Sequence, residues 1–131
     1  MKTSNADAWF SKFIRLRDAD ENGLCHCITC GHIADPKAMD CGHWQKRQYM
    51  STRFSEVNCA SQCGKCNRFE QGNDVKFRAA LVQKYGEDRI QILETLHKTT
   101  RKISNFELEQ IAKYYKEKAK ELAKEKHIKI W

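Results

Sequence analysis

Apolar side chains recur with a helical period near the start of the chain. In SNADAWFSKFIRLRD (residues 4–18), Trp9, Phe10, Phe13, Ile14 and Leu16 form one broad apolar side, so the pattern predicts an amphipathic helix. Ser4 or Asn5 is placed to cap it, with Asp7 near the positive end of the dipole. Asp20 to Gly23 reads as a polar turn. From Leu24 to about Gln62 the helical period disappears. Gly23, Gly31, Pro36 and Gly42 punctuate this stretch, Asp35-Pro36 reads as a turn, and short strands are expected near 24–28, 32–34, 39–44 and 57–60. None is long enough to make a sheet with its own core. A helix is expected to begin near Gly64, carry Asn67 and Arg68, and break at Gly72-Asn73. The rest reads as helix. Residues 74–85 offer Val75, Leu81, Val82 and Tyr85, and residues 87–97 offer Ile90, Leu93 and Leu96. A Ser104–Glu107 capping box precedes 105–126, with Leu108, Ile111, Tyr115, Ala119 and Leu122 as its apolar positions. Its last turns, KEKAKELAKEK, are mostly charge. They read as a solvated end with pairs such as Glu117 and Glu121 to Lys120, Lys124 and Lys126, ahead of a phosphate-contacting or dimerising arm.

Length and composition narrow this picture. The 131 residues suit one domain, with 1–23 as an N-terminal helix, 24–73 as a core and 74–131 as a helical extension. An apolar content of 40% excludes a disordered chain. The apolar runs are too short to cross a bilayer, and no signal-peptide block is seen at the start, so a cytoplasmic protein with reduced thiols and no membrane partner is expected. The formal charge is +7, and residues 74–131 carry 14 Lys/Arg against 9 Asp/Glu. A basic chain suits a polyanion, with nucleic acid the first candidate.

The seven cysteines change the picture most. An odd number strains a pure disulfide reading, and four fall in two Cys-x-x-Cys pairs, CITC (27–30) and CGKC (63–66), 32 residues apart. Each spacing lets two sulfurs face one ion, so Cys27, Cys30, Cys63 and Cys66 are expected to hold a structural zinc ion in a closed tetrahedral site. Such a site contributes about 10–16 kcal/mol to folding, which would hold together a region too poor in strands to do so alone. Cys25, Cys41 and Cys59 read as buried thiols, although Cys25 competes with Cys27 as a ligand. His26 and His32 read as surface residues.

Between the clamps lie DCGHW (40–44), KRQYMSTRF (46–54) and VNCASQC (57–63), with Asn67 directly after the last zinc cysteine. The pattern of Cys-x-x-Cys, His43, Asn58 and Cys-x-x-Cys-Asn is similar to the HNH (ββα-metal) endonucleases. CITC, CGHW, STRF, NCASQCGKCN and the later EQGN, with ADAWFSKFIRLRD and the helical tail, resemble the NinG/Rap family of lambdoid phage recombination proteins over most of the chain. The resemblance implies an α+β fold: a zinc-stabilised ββα-metal (HNH-like) core with an N-terminal helix and a helical C-terminal extension. It implies a structure-specific endonuclease that cuts branched DNA, such as Holliday junctions and D-loops, in a phage-infected or prophage-carrying bacterial cell. By that pattern His43 is the general base that activates water, Asn58 orients His43 across the hairpin, and Asn67 takes the place of a catalytic-metal ligand. A histidine suits proton abstraction near neutral pH, and a divalent ion stabilises the crowded phosphate and the departing 3′ oxygen, leaving 5′-phosphate and 3′-hydroxyl ends.

One position departs from the pattern. Many such enzymes carry an Asp or His before the base, and here Gly42 stands there. Asp40 or Cys41 is the available substitute, and Asp40 is the better donor for Mg2+ or Mn2+. Lys46, Arg47, Arg53 and Arg68 surround the site and are expected to hold the DNA backbone, while Tyr49 is a candidate for base stacking and Trp44 and Phe54 are expected to fill the core. Lys98, Arg101 and Lys102 form a second basic cluster. Resolving a four-way junction takes two incisions, which makes a homodimer attractive. The rival expectations are a non-catalytic zinc-containing DNA-binding recombination factor, which Gly42 keeps open, and a zinc-ribbon protein-interaction module.

Overall fold

A computed structural model describes residues 3–71 and 73–131. Helix α1 covers Ser4–Asp18 and buries Ala6, Phe10, Phe13, Ile14 and Leu16, a spacing that puts them on one side of the helix. Thr3, rather than Ser4 or Asn5, stands at its N-cap, and no side chain caps it. The Thr3 hydroxyl instead accepts a hydrogen bond from Arg53 at 3.1 Å.

The last helix, α5 (Asn105–Glu125), lies against α1 and buries Leu108, Ala112, Tyr115, Ala119 and Ala123. Its N-terminus is capped as expected, with the Glu107 N–H donating to Ser104 Oγ at 3.1 Å. Small alanines on the buried side let the helices approach closely. Tyr115 stands edge-on to Phe10, with ring centroids 4.9 Å apart. Phe10, Ile14 and Leu16 are at most 1% exposed, and burying each such side chain contributes about 1.5–3 kcal/mol. The lysine-rich end is not simply solvated: Ala119 and Ala123 are buried, and Lys126 Nζ donates to the carbonyls of Leu16, Arg17 and Ala19 at 2.7–2.9 Å. These are carbonyls at the C-terminal end of α1, where a cation is favoured.

Two antiparallel ribbons lie between the helices. Strands β1 (Cys25–His26) and β2 (Ile33–Ala34) form one, and β3 (Asp40–His43) and β4 (Cys59–Gln62) form the other. The second register pairs Asp40 with Gln62, Cys41 with Ser61, Gly42 with Ala60 and His43 with Cys59. Alternation along the strands gives this ribbon two faces. Cys41 and Cys59 pack into the α1–α5 core. Trp44 and Ala60 pack on the other side with Phe77, Leu81, Ile90 and Leu93 from α3 (Asp74–Tyr85) and α4 (Glu87–Leu96). Trp44 therefore fills the core as expected, while Val75 and Leu96 are exposed and Phe77 is the true anchor of α3. Asn73 precedes α3 in the left-handed region, with φ 52°; Gly72, expected to break the chain with it, lies outside the described residues.

Two short segments differ from expectation. The helix expected from Gly64 is a single π-helical turn, Lys65–Phe69. The strand expected at 57–60 is shifted to 59–62, because Glu56–Asn58 forms a 3-10 turn. A four-residue helix, α2 (Met50–Arg53), lies in the loop between β3 and β4. The protein is thus mixed α+β and mostly helical, with two small ribbons around a cysteine cluster. No helix among the described residues is long and apolar enough to cross a membrane.

Candidate metal centre and adjoining cleft

The two Cys-x-x-Cys pairs meet. The ligand sulfurs of Cys27, Cys30, Cys63 and Cys66 all lie within 4.8 Å of one another, and Cys30 Sγ is 3.7 Å from Cys63 Sγ. Four sulfurs set tetrahedrally about 2.3 Å from a zinc ion are separated by about 3.8 Å, so this cluster has the size and donor set that hold such an ion. Local turns bring the sulfurs together. Gly31 N–H donates to Cys27 O at 2.9 Å with Gly31 at φ +80°, a conformation a side chain disfavours, and Cys66 N–H donates to Cys63 Sγ at 3.5 Å.

The thiols also make the case electrostatically. Burial works against ionising Cys27, but the Thr29 hydroxyl and nearby backbone amides outweigh it and bring its pKa down to about 6. The His32 amide favours the Cys30 thiolate, yet burial and the neighbouring thiols of Cys27, Cys63 and Cys66 push Cys30 up to about 12. The thiols thus oppose one another's ionisation, and holding all four as thiolates would take a cation between them. Cys25 stands apart, fully buried, donating to Arg15 O at 3.1 Å. His26 is exposed and bonded to Asp20, and His32 is exposed too.

Beside the cluster, β3, the π turn and α1 enclose a cleft of about 350 Å³, lined among others by Asp7, Arg15, Asp40, Cys41, His43, Arg47, Asn67 and Arg68. His43 enters from the end of β3. Its Nε2 lies 2.9 Å from Arg53 O, and since a carbonyl only accepts, Nε2 carries the proton and Nδ1 the lone pair. Burial drives the His43 pKa down to about 4, against the Arg53 carbonyl, which favours the charged ring. The imidazole is therefore neutral at physiological pH.

Asp40 and Asn67 lie side by side, in contact through the Asn67 amide nitrogen. Asn67 Nδ2 donates to Asp40 Oδ2 at 3.0 Å, and Arg68 forks onto both carboxylate oxygens at 3.0 and 3.1 Å. Burial opposes the Asp40 charge, but Arg68 and Asn67 outweigh it and hold the carboxyl below the usual range. Gly42 has a structural reason to be glycine: a Cβ there would meet Gln62 and come within 3.0 Å of the Phe77 ring. That position faces the α3 side, so a ligand side chain has no room there.

Among the described residues, Asn58 makes no hydrogen bond to the His43 ring. Fully buried, it accepts from Gln45 N–H at 2.7 Å and donates to Gln45 O at 2.9 Å and Thr52 O at 3.2 Å. It staples the loop whose next residue, Arg53, holds the His43 ring. Its influence on His43 is indirect.

The four expected DNA-contacting cations occupy different settings. Arg47 and Arg68 are exposed and line the cleft. Lys46 is exposed and paired with Asp74 at 2.9 Å. Arg53 is only 11% exposed, and its guanidinium is held by both Asp7 oxygens, at 2.9 and 2.6 Å, and by Arg47 O and Thr3. Its donors are taken up by these partners. Arg15, which the sequence pattern did not single out, joins the cleft because α1 carries it there. Tyr49 stacks edge-on against His97 at 4.8 Å, and Phe54 sits edge-on to Phe10 at 5.6 Å.

These features define a small α+β protein built around a four-cysteine centre with a basic, histidine-bearing cleft beside it. The chain belongs to the family described as "Bacteriophage Lambda NinG protein", which matches residues 3–125. Protein ninG of Escherichia phage lambda is 32% identical over 111 residues, 84% of this chain and 52% of the relative. Protein ninG of Salmonella phage P22 is 33% identical over the same shares. The chain thus spans about half the length of these relatives. No solved structure matches it.

Proposed function

We propose that this protein is a structure-specific DNA endonuclease of the HNH type that hydrolyses phosphodiesters in branched recombination intermediates. The observation that carries the reading is the His43 ring: its Nε2–H is fixed on Arg53 O while the neutral ring lines a cleft shared with Asp40, Asn67, Arg47 and Arg68. In this reading Nδ1 accepts the proton of the attacking water. Arg47 and Arg68 hold the phosphate, and Arg15 adds positive charge to the floor of the cleft. Cys27, Cys30, Cys63 and Cys66 would hold a zinc ion that fixes the second knuckle, from which Asn67 and Arg68 project. Asp40 and Asn67 are hard oxygen donors suited to Mg2+ or Mn2+, which would stabilise the leaving oxygen. Arg68 shares the Asp40 carboxylate with any such ion, and would be placed between it and the phosphate.

The Asp40–Arg68 fork is also what favours the second reading, a zinc-containing DNA-binding recombination factor that does not cut. Labelled four-way-junction DNA separates the two. Cutting with magnesium or manganese that is abolished in His43→Ala supports the nuclease; junction retention with no nicks under either ion refutes it. Phosphate contacts by Arg47 and Arg68 predict binding that weakens steeply with salt in both readings.

A further inference from the structure

Cys41, His43 and Cys59 form a second group of soft ligands, each offering one atom within 4.8 Å of the others. None belongs to the four-cysteine cluster. The ribbon explains the meeting: His43 lies opposite Cys59 in the ladder, and Cys41 is two residues back on the same face. Cys41 and His43 line the open cleft, which gives access, and Cys59 closes the site from the core at 0% exposure.

A second observation points to an ion. A metal-bound histidine characteristically donates its other ring N–H to a carbonyl or carboxylate, which fixes the tautomer. The Nε2–H of His43 already does this with Arg53 O. Two sulfurs and an imidazole suit a borderline or soft dication such as zinc or cobalt(II) over magnesium. Two thiolates with one dication are neutral overall, which a site backed by Phe10, Phe13 and Ile14 tolerates. Three protein ligands leave a fourth tetrahedral position for water or another ligand.

We infer that Cys41, His43 and Cys59 form a second, soft-metal site whose occupation engages the His43 ring and silences the cleft. The silencing half rests on the nuclease reading, since His43 cannot ligate an ion and accept a proton from water together. The binding half stands alone.

Protein carrying a single equivalent of zinc is titrated with cobalt(II), following visible absorption and zinc release. One further equivalent is expected, with a thiolate-to-cobalt charge-transfer band and no loss of the first zinc. Cys41→Ala and Cys59→Ala should abolish that equivalent while keeping the first, which also reports that they fold. His43→Gln should keep the band but weaken binding by at least the roughly tenfold that losing an outer-shell partner alone costs. No further equivalent, or one unchanged in all three variants, overturns the site. In the magnesium-supported junction assay, excess zinc should slow the wild type and not Cys59→Ala, each against its own rate without added zinc. Cutting that ignores zinc overturns the silencing. A protein that never cuts removes the nuclease reading, and the cobalt titration still decides the site.

Discussion

Removing the Asn58 carboxamide tests how the loop around His43 is built. Asn58→Ala deletes three hydrogen bonds, from Gln45 N–H and to the carbonyls of Gln45 and Thr52. A lost bond with its partner left buried costs about 1–3 kcal/mol, whereas water can reach a partner near the surface. Thr52 is fully buried and Gln45 is half-buried, so the three together should cost about 3 kcal/mol. With a urea m value of roughly 1.5 kcal/mol/M, the unfolding midpoint of the zinc-loaded protein should fall by about 2 M. Asn58→Asp sharpens the test. It keeps an acceptor for Gln45 N–H but sets carboxylate oxygens against two carbonyls, so at neutral pH it should do no better than alanine. The His43 ring resonances should move in both variants, because Arg53 O follows Thr52. A cost below about 1 kcal/mol, or full rescue by aspartate, would mean that the carboxamide does not hold this loop.

Three further outcomes follow from the packing and charge. Gly42→Ala should lower stability by about 1–3 kcal/mol in a thermal melt, since the added methyl must displace Gln62 and Phe77. Asp7→Asn should cost about 2 kcal/mol at neutral pH, less than a fully buried pair because Asp7 is 17% exposed. Burial opposes the Asp7 charge, but Arg53, Thr3 and Arg47 outweigh it and hold its pKa below the ordinary value. The unfolded state therefore binds more protons in acid, and the wild-type advantage is full above about pH 4 and fades as pH drops through the folded pKa. Urea melts of both proteins across pH 2–7 check this through a stability gap that closes only at the acid end. Stripping the metal with a strong chelator should unfold the ribbons, given the roughly 10–16 kcal/mol such a site supplies, and circular dichroism should show α1 and α5 losing their partner surface as well.

How much of this was legible in the sequence depends on how local each signal is. The span of α3 and the cap of α5 are written in neighbouring residues, Asp74 and Gly86 in one case and Ser104 and Glu107 in the other. The four-cysteine cluster is legible because its spacing is itself the chemistry. Which apolar side chain anchors α3 is not: Val75 and Phe77 stand in similar company, and only the groove beside Trp44 and Ala60 selects Phe77. The Asp7–Arg53 pair joins residues 46 positions apart, so an arginine beside the candidate base looks like a phosphate ligand until the fold pairs it with the Asp7 carboxylate. The grouping of Cys41 with Cys59 needs the ladder register, which no spacing in the chain reveals. The pattern picks out Asn58, but its two partner residues, Gln45 and Thr52, lie on a loop whose path has no sequence signature.

The embrace of α1 by α5 sets an order on assembly. Phe10, Ile14 and Leu16 are made well before α5, which supplies a large part of the surface that covers them. During translation that greasy stripe must wait, shielded at first by the ribbon alone. Early ion capture by the cysteine pairs would shorten the loop left to close when α5 arrives, so cells starved of zinc should accumulate aggregated nascent chains rather than folded protein with an idle cleft.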